Sequence, residues 1–448
     1  GAGVRPHKNS INNYCYPENP EAGIDLFLEK LVQETEKEHE DILEQADETD
    51  AMFGELYSWY LRNPEYRSRV QKLVQSAFAG KPKDIISQSV AKALYGEVSP
   101  YSATRLERFA ACAFAHFLQY GMKLTERVEY EFKPMDMGNV MHEALESFAE
   151  EVRKRGMKWT ELTEQERNEI ADRCLDNIVA DYGNTVLKSS ARNEYMIERT
   201  RRILRRTVWA LQKQLEQGEF QPEGFEVTFG GGRIDRVDIM EDQNKVYVKV
   251  IDYKTGNTSF DLVYLYHGLQ LQLMIYLDGA LRVEQKKYPD KEIIPAGVFY
   301  YNIKDPMIQE KIDADVEAVS AGLMKELKMN GLVQADPELV YRMDSSLGSI
   351  PVAFNKDGSF RKNSSVADRT QFAVLGRYVR TKIEKIRSSI LEGDAEVSPY
   401  ELGKKNACTY CPYMTVCGFD RRLSGYEFRR LKNFSDEELW KAFDREAE

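Results

Sequence analysis

The feature that most constrains this chain is a change of hydrophobic period near its midpoint. Residues 225–229, 233–240 and 245–253 alternate apolar and polar side chains in short runs, broken by Gly230-Gly231-Gly232 and by Glu241-Asp242-Gln243-Asn244. A period of two marks strands that bury one face, and Gly-rich or Asx-rich breaks of this length close hairpins, so the pattern predicts a three-stranded meander. On either side the period is helical. Ser99-Pro100-Tyr101-Ser102 marks a boundary, followed by an apolar helix over 103–120 with Ser102 as its cap. A second helix opens after Gly138 and runs over 140–155, with His142 and Glu146 on one face, and helices continue from 163 to 217. A helix with Gln270, Gln272 and Tyr276 follows the meander, then a strand near 296–302; after Asp336 the chain reads as irregular until a helix over 368–391. The order helix, strands, helix, strand predicts an α/β unit around a mixed sheet.

Composition limits what such a unit can be. The chain has 448 residues, with 62 Lys+Arg against 73 Asp+Glu and a formal net charge of −11. At roughly 150 residues per domain this suggests about three units, or one large domain with an appendage. The divisions read from the sequence are a charged, helical segment 1–93, a main domain 94–431 and a helical tail 432–448. No run reaches the roughly 18 apolar residues of a membrane span; the best, 109–118, is broken by Cys112 and His116. A surface this acidic does not coat a polyanion as a whole, so any nucleic-acid contact is a local basic stripe. Arg199, Arg201, Arg202, Arg205 and Arg206 supply one, with Arg201/Arg205 and Arg202/Arg206 on adjacent helix faces. Such a row is commonly a solvated surface, and it can also track a single-stranded phosphate backbone. Gly80-Lys81-Pro82-Lys83 lacks the upstream Gly and the following Ser/Thr of a phosphate loop, and no Walker motif occurs, which excludes ATP hydrolysis by that route. Gly1-Ala2-Gly3 reads like the scar of a removed tag, so a piece of a longer protein is expected. Six cysteines are too few for a disulfide framework, which points to a reducing compartment, by default the cytoplasm.

The chemistry gathers on two adjacent strands. Gly232-Arg233-Ile234-Asp235 lies on one and Ile251-Asp252-Tyr253-Lys254 on the next. Side chains at i and i+2 of a strand share a face, which sets Asp252 beside Lys254, and hairpin pairing brings Asp235 up to them. Two carboxylates can hold Mg²⁺ through hard oxygen ligands while the ammonium orients a water or neutralises charge on a phosphorane-like transition state. A lone Asp-x-Lys on a strand is usually a surface ion pair. Its company here, with Asp235 before it, a histidine on a preceding helix and Gln-x-x-x-Tyr on a following one, argues for more. Separately, Cys408, Cys411 and Cys417 form CxxC followed by a cysteine six residues on, and Cys112 sits far upstream. Thiolates at these spacings close around an iron–sulfur cluster or a zinc ion. Tyr410, Tyr413 and Phe419 suggest an apolar shell, whereas Cys15 and Cys174 match no motif and read as ordinary thiols.

Asp235, Asp252-Tyr253-Lys254, Gly138 to His142 and Gln272-Leu-Met-Ile-Tyr276 together resemble the motifs of the PD-(D/E)xK nuclease superfamily, in its RecB-like branch. The resemblance implies a restriction-endonuclease-like mixed sheet flanked by helices. It makes His142, Asp235 and Asp252 side-chain ligands of Mg²⁺, with Mn²⁺ able to substitute. Tyr253 would add its carbonyl, Lys254 would be the catalytic lysine, and Gln272 and Tyr276 would support the site and contact DNA. One early cysteine and a late CxxCxxxxxC are similar to nucleases with a 4Fe–4S staple, which implies Cys112, Cys408, Cys411 and Cys417 as its ligands. Long insertions (155–217 and 305–398), the entry Leu94-Tyr95-Gly96 through Glu107 and the end Cys408 to Tyr413 resemble the AddB-type subunits of ATP-dependent helicase–nucleases, over residues 94–431. Cys112-Ala-Phe stands where that family usually has Cys-Pro-Phe, which leaves the ligand in place. The implied function is a Mg²⁺-dependent exonuclease acting on single-stranded DNA in double-strand break repair and recombination. The 5′-ended strand would be cut, an AddA-like subunit would complete a heterodimer, no membrane is involved, and residues 1–93 would be the tail of a preceding helicase-like region. Two other classes stay open: an inactive DNA-binding or scaffolding module, and a stand-alone nuclease of the CRISPR-associated type. A metal-dependent cleavage assay separates the first from the enzyme, and helicase-like sequence upstream dismisses the second.

Overall fold

The alternating region folds as strands longer than the pattern alone marks. In the computed structural model, β1 (Gln221–Phe229), β2 (Gly232–Asp242) and β3 (Lys245–Lys254) form an antiparallel meander. β4 (Glu292–Asn302) runs parallel to β3, β5 (Asn330–Gln334) antiparallel to β4 and β6 (Val366–Ala367) parallel to β5, giving one six-stranded mixed sheet in sequence order. The described residues are 48–77, 85–96, 102–125, 134–181, 191–230, 232–308, 315–422 and 425–447. Residues 1–3, Cys15, the phosphate-loop look-alike 80–83 and the boundary residues 99–101 lie outside them. None of the described helices is long and apolar enough to cross a membrane.

Contacts divide the chain into two units. The larger comprises residues 86–393 and 431–448, and the smaller comprises residues 394–430 together with the part before residue 86. The units therefore interleave along the chain, where the sequence was read as three contiguous segments. The tail helix Asp436–Ala447 belongs with the sheet-bearing unit because it packs on the long helix Arg369–Glu392, through Phe443 against Tyr378, and on the short helix Leu262–Tyr266, through Phe443 against Tyr266.

In the larger unit the helices of eight residues or more are α1 (Gln88–Tyr95), α2 (Ala103–Ala111), α3 (Pro134–Lys154), α4 (Glu164–Asp181), α5 (Ala191–Glu216), α6 (Gln272–Lys287), α7 (Val316–Glu326), α8 (Arg369–Glu392) and α9 (Asp436–Ala447). Helices α3, α4 and α5 pack on one another, and their apolar stripes (Val140, Leu145, Phe148, Leu175, Leu204, Leu211) share a core with Met240, Ile251, Tyr253, Phe299 and Tyr301 of the sheet. Alternate strand residues point the other way, and α6 packs along β1 to β4. Gly279 of α6 sits so close to Phe229 that a Cβ would lie 2.7 Å from its ring.

Local signals account for several helix ends. Ser102 caps α2, accepting from the backbone of Arg105. Asp368 and Gln371 form a reciprocal capping box at the start of α8. That helix ends at Gly393, where φ is +92° and a Cβ would meet the Ile86 carbonyl oxygen at 2.0 Å, so no side chain fits. Three expectations are corrected. The apolar run 103–120 is not one helix: Cys112 is extended (φ −165°, ψ 117°) between α2 and a single turn Ala113–His116 that continues as a π-helical turn, Phe117–Gly121. The helix through Gly138 begins earlier, at Pro134, whose fixed φ and missing N–H suit the first helical position. The stretch after Asp336 is irregular only beyond a further helix, Pro337–Met343, and stays so over 344–365. Asp336 caps Pro337–Met343 by accepting from Glu338 and Leu339, a signal short enough to be overlooked.

In the smaller unit, Glu48–Arg62 and Pro64–Ala77 pack around Leu56, Tyr60 and Val70. A small sheet is formed by Tyr400–Leu402, Lys405–Asn406 and Arg429–Arg430.

Candidate active site

The C-terminal end of β3 is where the two helical layers meet the sheet, and the polar side chains singled out from the sequence collect there. Asp252 and Lys254 share a strand face, and Lys254 Nζ lies 2.6 Å from Asp252 Oδ2. Asp235 of β2 accepts a hydrogen bond from the Tyr253 backbone N–H at 2.7 Å. From the opposite layer α3 brings His142, whose Nε2 lies 3.1 Å from the Tyr253 carbonyl oxygen and whose Nδ1 lies 3.4 Å from Asp235 Oδ2. From the other layer α6 brings Gln272. Its amide nitrogen donates to Asp252 Oδ1 (2.8 Å) and to the Tyr276 hydroxyl (3.0 Å), while its oxygen accepts from Lys254 Nζ (2.8 Å). These partners fix which way the amide faces, since a flipped Gln272 would aim its donors at an ammonium. His142, Asp235, Asp252, Tyr253, Lys254, Gln272 and Tyr276 are therefore brought together from chain positions up to 134 residues apart.

Lys254 is partly exposed, whereas Asp252 is only 1% exposed. It is roofed by Gln272. Burial, with the neighbouring Asp235 charge adding to it, pushes the Asp252 carboxyl up to about 7, against the pull of Lys254. At His142, burial disfavours the charged ring, yet Asp235, Asp252 and Glu226 together hold its pKa above the ordinary value.

Two carboxylates complete the site that were not assigned to it from sequence. Glu107 of α2 accepts from the backbone N–H groups of Leu271 (2.7 Å) and Gln272 (2.9 Å). It thus caps α6, whose own preceding residue, Leu271, has no side-chain cap to offer. Burial pushes Glu107 up to about 7, opposed by those two N–H groups and by Lys254. Glu226 of β1 points a buried side chain at His142 Nδ1 (3.9 Å) and pairs with Arg233. Burial and the charge of Asp235 push it up to about 7 as well. Glu107 closes the entry segment that carries the family resemblance but has no site role assigned there, and Glu226 belongs to no local motif, although an acid three residues before the end of a strand facing Asp235 was visible in principle.

The remaining sequence-marked residues lie elsewhere. On α5, Arg201 pairs with Asp176 and Glu198, Arg202 with Asp305, and Arg205 with Asp172, while Arg206 lies over the Trp209 ring. Cys112 belongs to the larger unit, and Cys408, Cys411 and Cys417 belong to the smaller. There the Cys411 N–H donates to the Cys408 carbonyl (3.1 Å), closing the CxxC turn, and the Phe419 N–H points at Cys417 Sγ (3.4 Å). Tyr413 is buried and Phe419 packs on Tyr426 and Phe428, but Tyr410 is 95% exposed and takes no part in an apolar shell. Cys174 is buried, which pushes its thiol up to about 11, in keeping with an inert core cysteine.

With this geometry in view, a family model described as the PD-(D/E)XK nuclease superfamily matches residues 100–418. This chain belongs to the PD-(D/E)XK nuclease superfamily. It is also similar to curated proteins named as the B-type subunit of an ATP-dependent helicase/deoxyribonuclease. The one from Lachnoclostridium phytofermentans is 41% identical over 425 residues, covering 90% of this chain and 36% of that protein. Those from Thermoanaerobacter sp. (strain X514) and Clostridium acetobutylicum are 34% and 33% identical over 425 and 423 residues, with 37% and 36% of their lengths covered. The chain thus spans just over a third of the length of these relatives, and what their names describe belongs to proteins far longer than this one.

Proposed function

We propose that this chain is the nuclease module of an AddB-like helicase–nuclease subunit, a divalent-metal-dependent deoxyribonuclease. The observation that carries the reading is the convergence of His142, Asp235, Asp252, Lys254 and Gln272 on the end of β3. The donor set fits a hard divalent cation: carboxylate oxygens, a backbone carbonyl and one imidazole, with more negative than positive charge in a largely buried site. His142, Asp235, Asp252 and the Tyr253 carbonyl are the proposed ligands. Mg²⁺, or Mn²⁺ in its place, supplies Lewis-acid polarisation of the phosphate and lowers the pKa of a water.

The chain's own residues do the positioning. Asp252 and Gln272 together hold the Lys254 ammonium at one point, where it faces the incoming phosphate and stabilises charge as it develops there. Tyr276 fixes Gln272 in turn, and Glu107 anchors the helix end from which Gln272 projects. Water attacks phosphorus and releases a proton to solvent as the new P–O bond forms, the ester P–O bond to the leaving oxygen breaks, and that oxygen takes up a proton from solvent, so protons balance.

The finer reading follows the relatives' names and the sequence resemblance. The substrate is single-stranded DNA, cut exonucleolytically from the 5′-ended strand in break repair, and delivered by an ATP-driven AddA-like partner. Cys112, Cys408, Cys411 and Cys417 hold a structural 4Fe–4S cluster. The N–H aimed at Cys417 Sγ supports a thiolate ligand there, since such a bond favours the charged sulfur.

The deciding experiment is Mg²⁺-dependent cleavage of labelled single-stranded DNA by wild type, Asp252→Ala and Lys254→Ala. Loss of cleavage in both variants with unchanged circular dichroism is expected, and retained cleavage in either removes that residue from the mechanism. For the cluster, anaerobically purified protein should carry a broad brown visible absorption that Cys417→Ser abolishes; a colourless wild type with stoichiometric zinc overturns it.

A further inference from the structure

Glu226 violates every local rule for a glutamate on a strand. Its φ is +49°, in the left-handed region that side chains other than Gly, Asn and Asp seldom enter. The β1–β2 ladder pairs Phe225 with Arg236 and Val227 with Ile234, and Glu226 between them is rotated out of that regular pattern. Its side chain is only 7% exposed although it carries a carboxylate. A backbone outlier of this kind persists only where its surroundings impose it, and such residues cluster at functional sites.

What the twist accomplishes is a convergence. Ligand-capable atoms of Glu226, Asp235 and His142 lie within 4.8 Å of one another, the one such trio of His, Cys, Asp and Glu side chains among the described residues. Asp252 is not part of it, because its two oxygens face Lys254 and Gln272. The cation paired with Glu226 is Arg233, whose side chain is 61% exposed.

We infer that Glu226 is a metal-binding side chain of this site, donating a carboxylate oxygen to the divalent cation shared with His142 and Asp235. The inference rests on the reading of the site as a divalent-metal centre and adds to it a ligand that the motifs do not include. Arg233 is then a place-holder, covering the second oxygen of Glu226 until the cation arrives.

The test is calorimetric titration of the full chain with Mn²⁺, backed by Mn²⁺ electron paramagnetic resonance, for wild type, Glu226→Asn and Glu226→Asp. Asparagine tolerates the left-handed backbone and removes the charge, whereas aspartate keeps both. Glu226→Asn should weaken Mn²⁺ binding by about tenfold or more, while Glu226→Asp stays closer to wild type. The metal-free melting temperature of Glu226→Asn should be equal to or above that of wild type, since strain and repulsion are both relieved. Should asparagine disturb the strand, Glu226→Gly, best suited to this φ, carries the same comparison. Equal Mn²⁺ affinity in wild type and the charge-deleted variants overturns the inference and leaves the proposed function standing. A lowered metal-free melting temperature with affinity retained assigns Glu226 a structural role instead. A wild type that binds no Mn²⁺ overturns both readings.

Discussion

Strands β2 and β3 carry two charged clusters one residue apart in register, and the two behave in opposite ways. Asp235, Asp252 and Lys254 gather with His142 and Glu226 at the end of β3. Arg236, Asp238 and Lys249 lie on the opposite face of the same strands, beneath the helical layer. Arg236 donates two hydrogen bonds to Asp238 (2.5 and 2.9 Å), Lys249 Nζ reaches the same carboxylate at 2.9 Å, and the Arg236 guanidinium lies over the rings of Trp159 and Phe225. Burial penalises the Asp238 charge, yet the two cations hold its carboxyl below the ordinary range. In the other cluster burial wins, and Asp252 and Glu226 are pushed up to about 7. The difference is one of internal neutralisation. The Arg236 cluster has enough positive charge of its own and holds structure together. The Asp252 cluster has too little, and an excess of buried negative charge is what a cation site needs before the cation is bound.

The sharpest way to break this comparison is to delete the central carboxylate of each cluster. Asp238→Ala leaves Arg236 and Lys249 buried without a counter-charge and should destabilise the fold by about 3–5 kcal/mol, read by denaturant unfolding. Asp252→Asn should leave metal-free stability equal or higher. If both variants lose similar stability, the two clusters are not different in kind.

Next in size is the effect on catalysis. Lys254→Ala should lower the cleavage rate by about 10²–10³-fold with the melting temperature nearly unchanged. Lys249→Ala on the opposite face should do the reverse. Single-turnover kinetics and thermal unfolding of the two variants decide it.

The pH dependence has a definite sign. The folded-state pKa values of Asp252 and Glu226 are about 7, above their ordinary values of 3.8 and 4.5. Their contribution is fully present below the ordinary values and is lost as pH rises through 7, since the folded state binds protons the unfolded state has released. The metal-free chain should therefore melt at lower temperature at about pH 8 than at about pH 6, and saturating Mn²⁺ should flatten or invert that trend. A metal-free melting temperature that rises across this window contradicts the charge excess.

The smallest expected effect concerns α5. Arg202 and Arg205 already face Asp305 and Asp172, whereas Arg206 has a tryptophan and no described carboxylate partner. Charge reversal at Arg206 should flatten the salt dependence of single-stranded DNA binding by about one counterion. Reversal at Arg205 should change it less. Equal slopes in both variants and wild type return the row to a solvated surface.

Short periods and caps are legible in the chain before it folds. The period-two runs mark the meander, the i, i+2 rule sets Asp252 beside Lys254, the hairpin brings up Asp235, and Ser102 and Asp368 begin their helices where their side chains reach the orphan N–H groups. Each is decided by neighbours within a few residues or across one tight turn. The rest needs the packed molecule. That His142 meets the Tyr253 carbonyl across 111 residues, and that Glu107 caps Gln272 across 165, depends on how two helical layers close on opposite faces of one sheet. The break at Cys112 and the left-handed turn at Glu226 run against local preference, so no local pattern foretells them. The burial of Asp252 has the same origin: a strand end is exposed until a helix from elsewhere in the chain roofs it, and only the packed fold determines which charges are left without a partner.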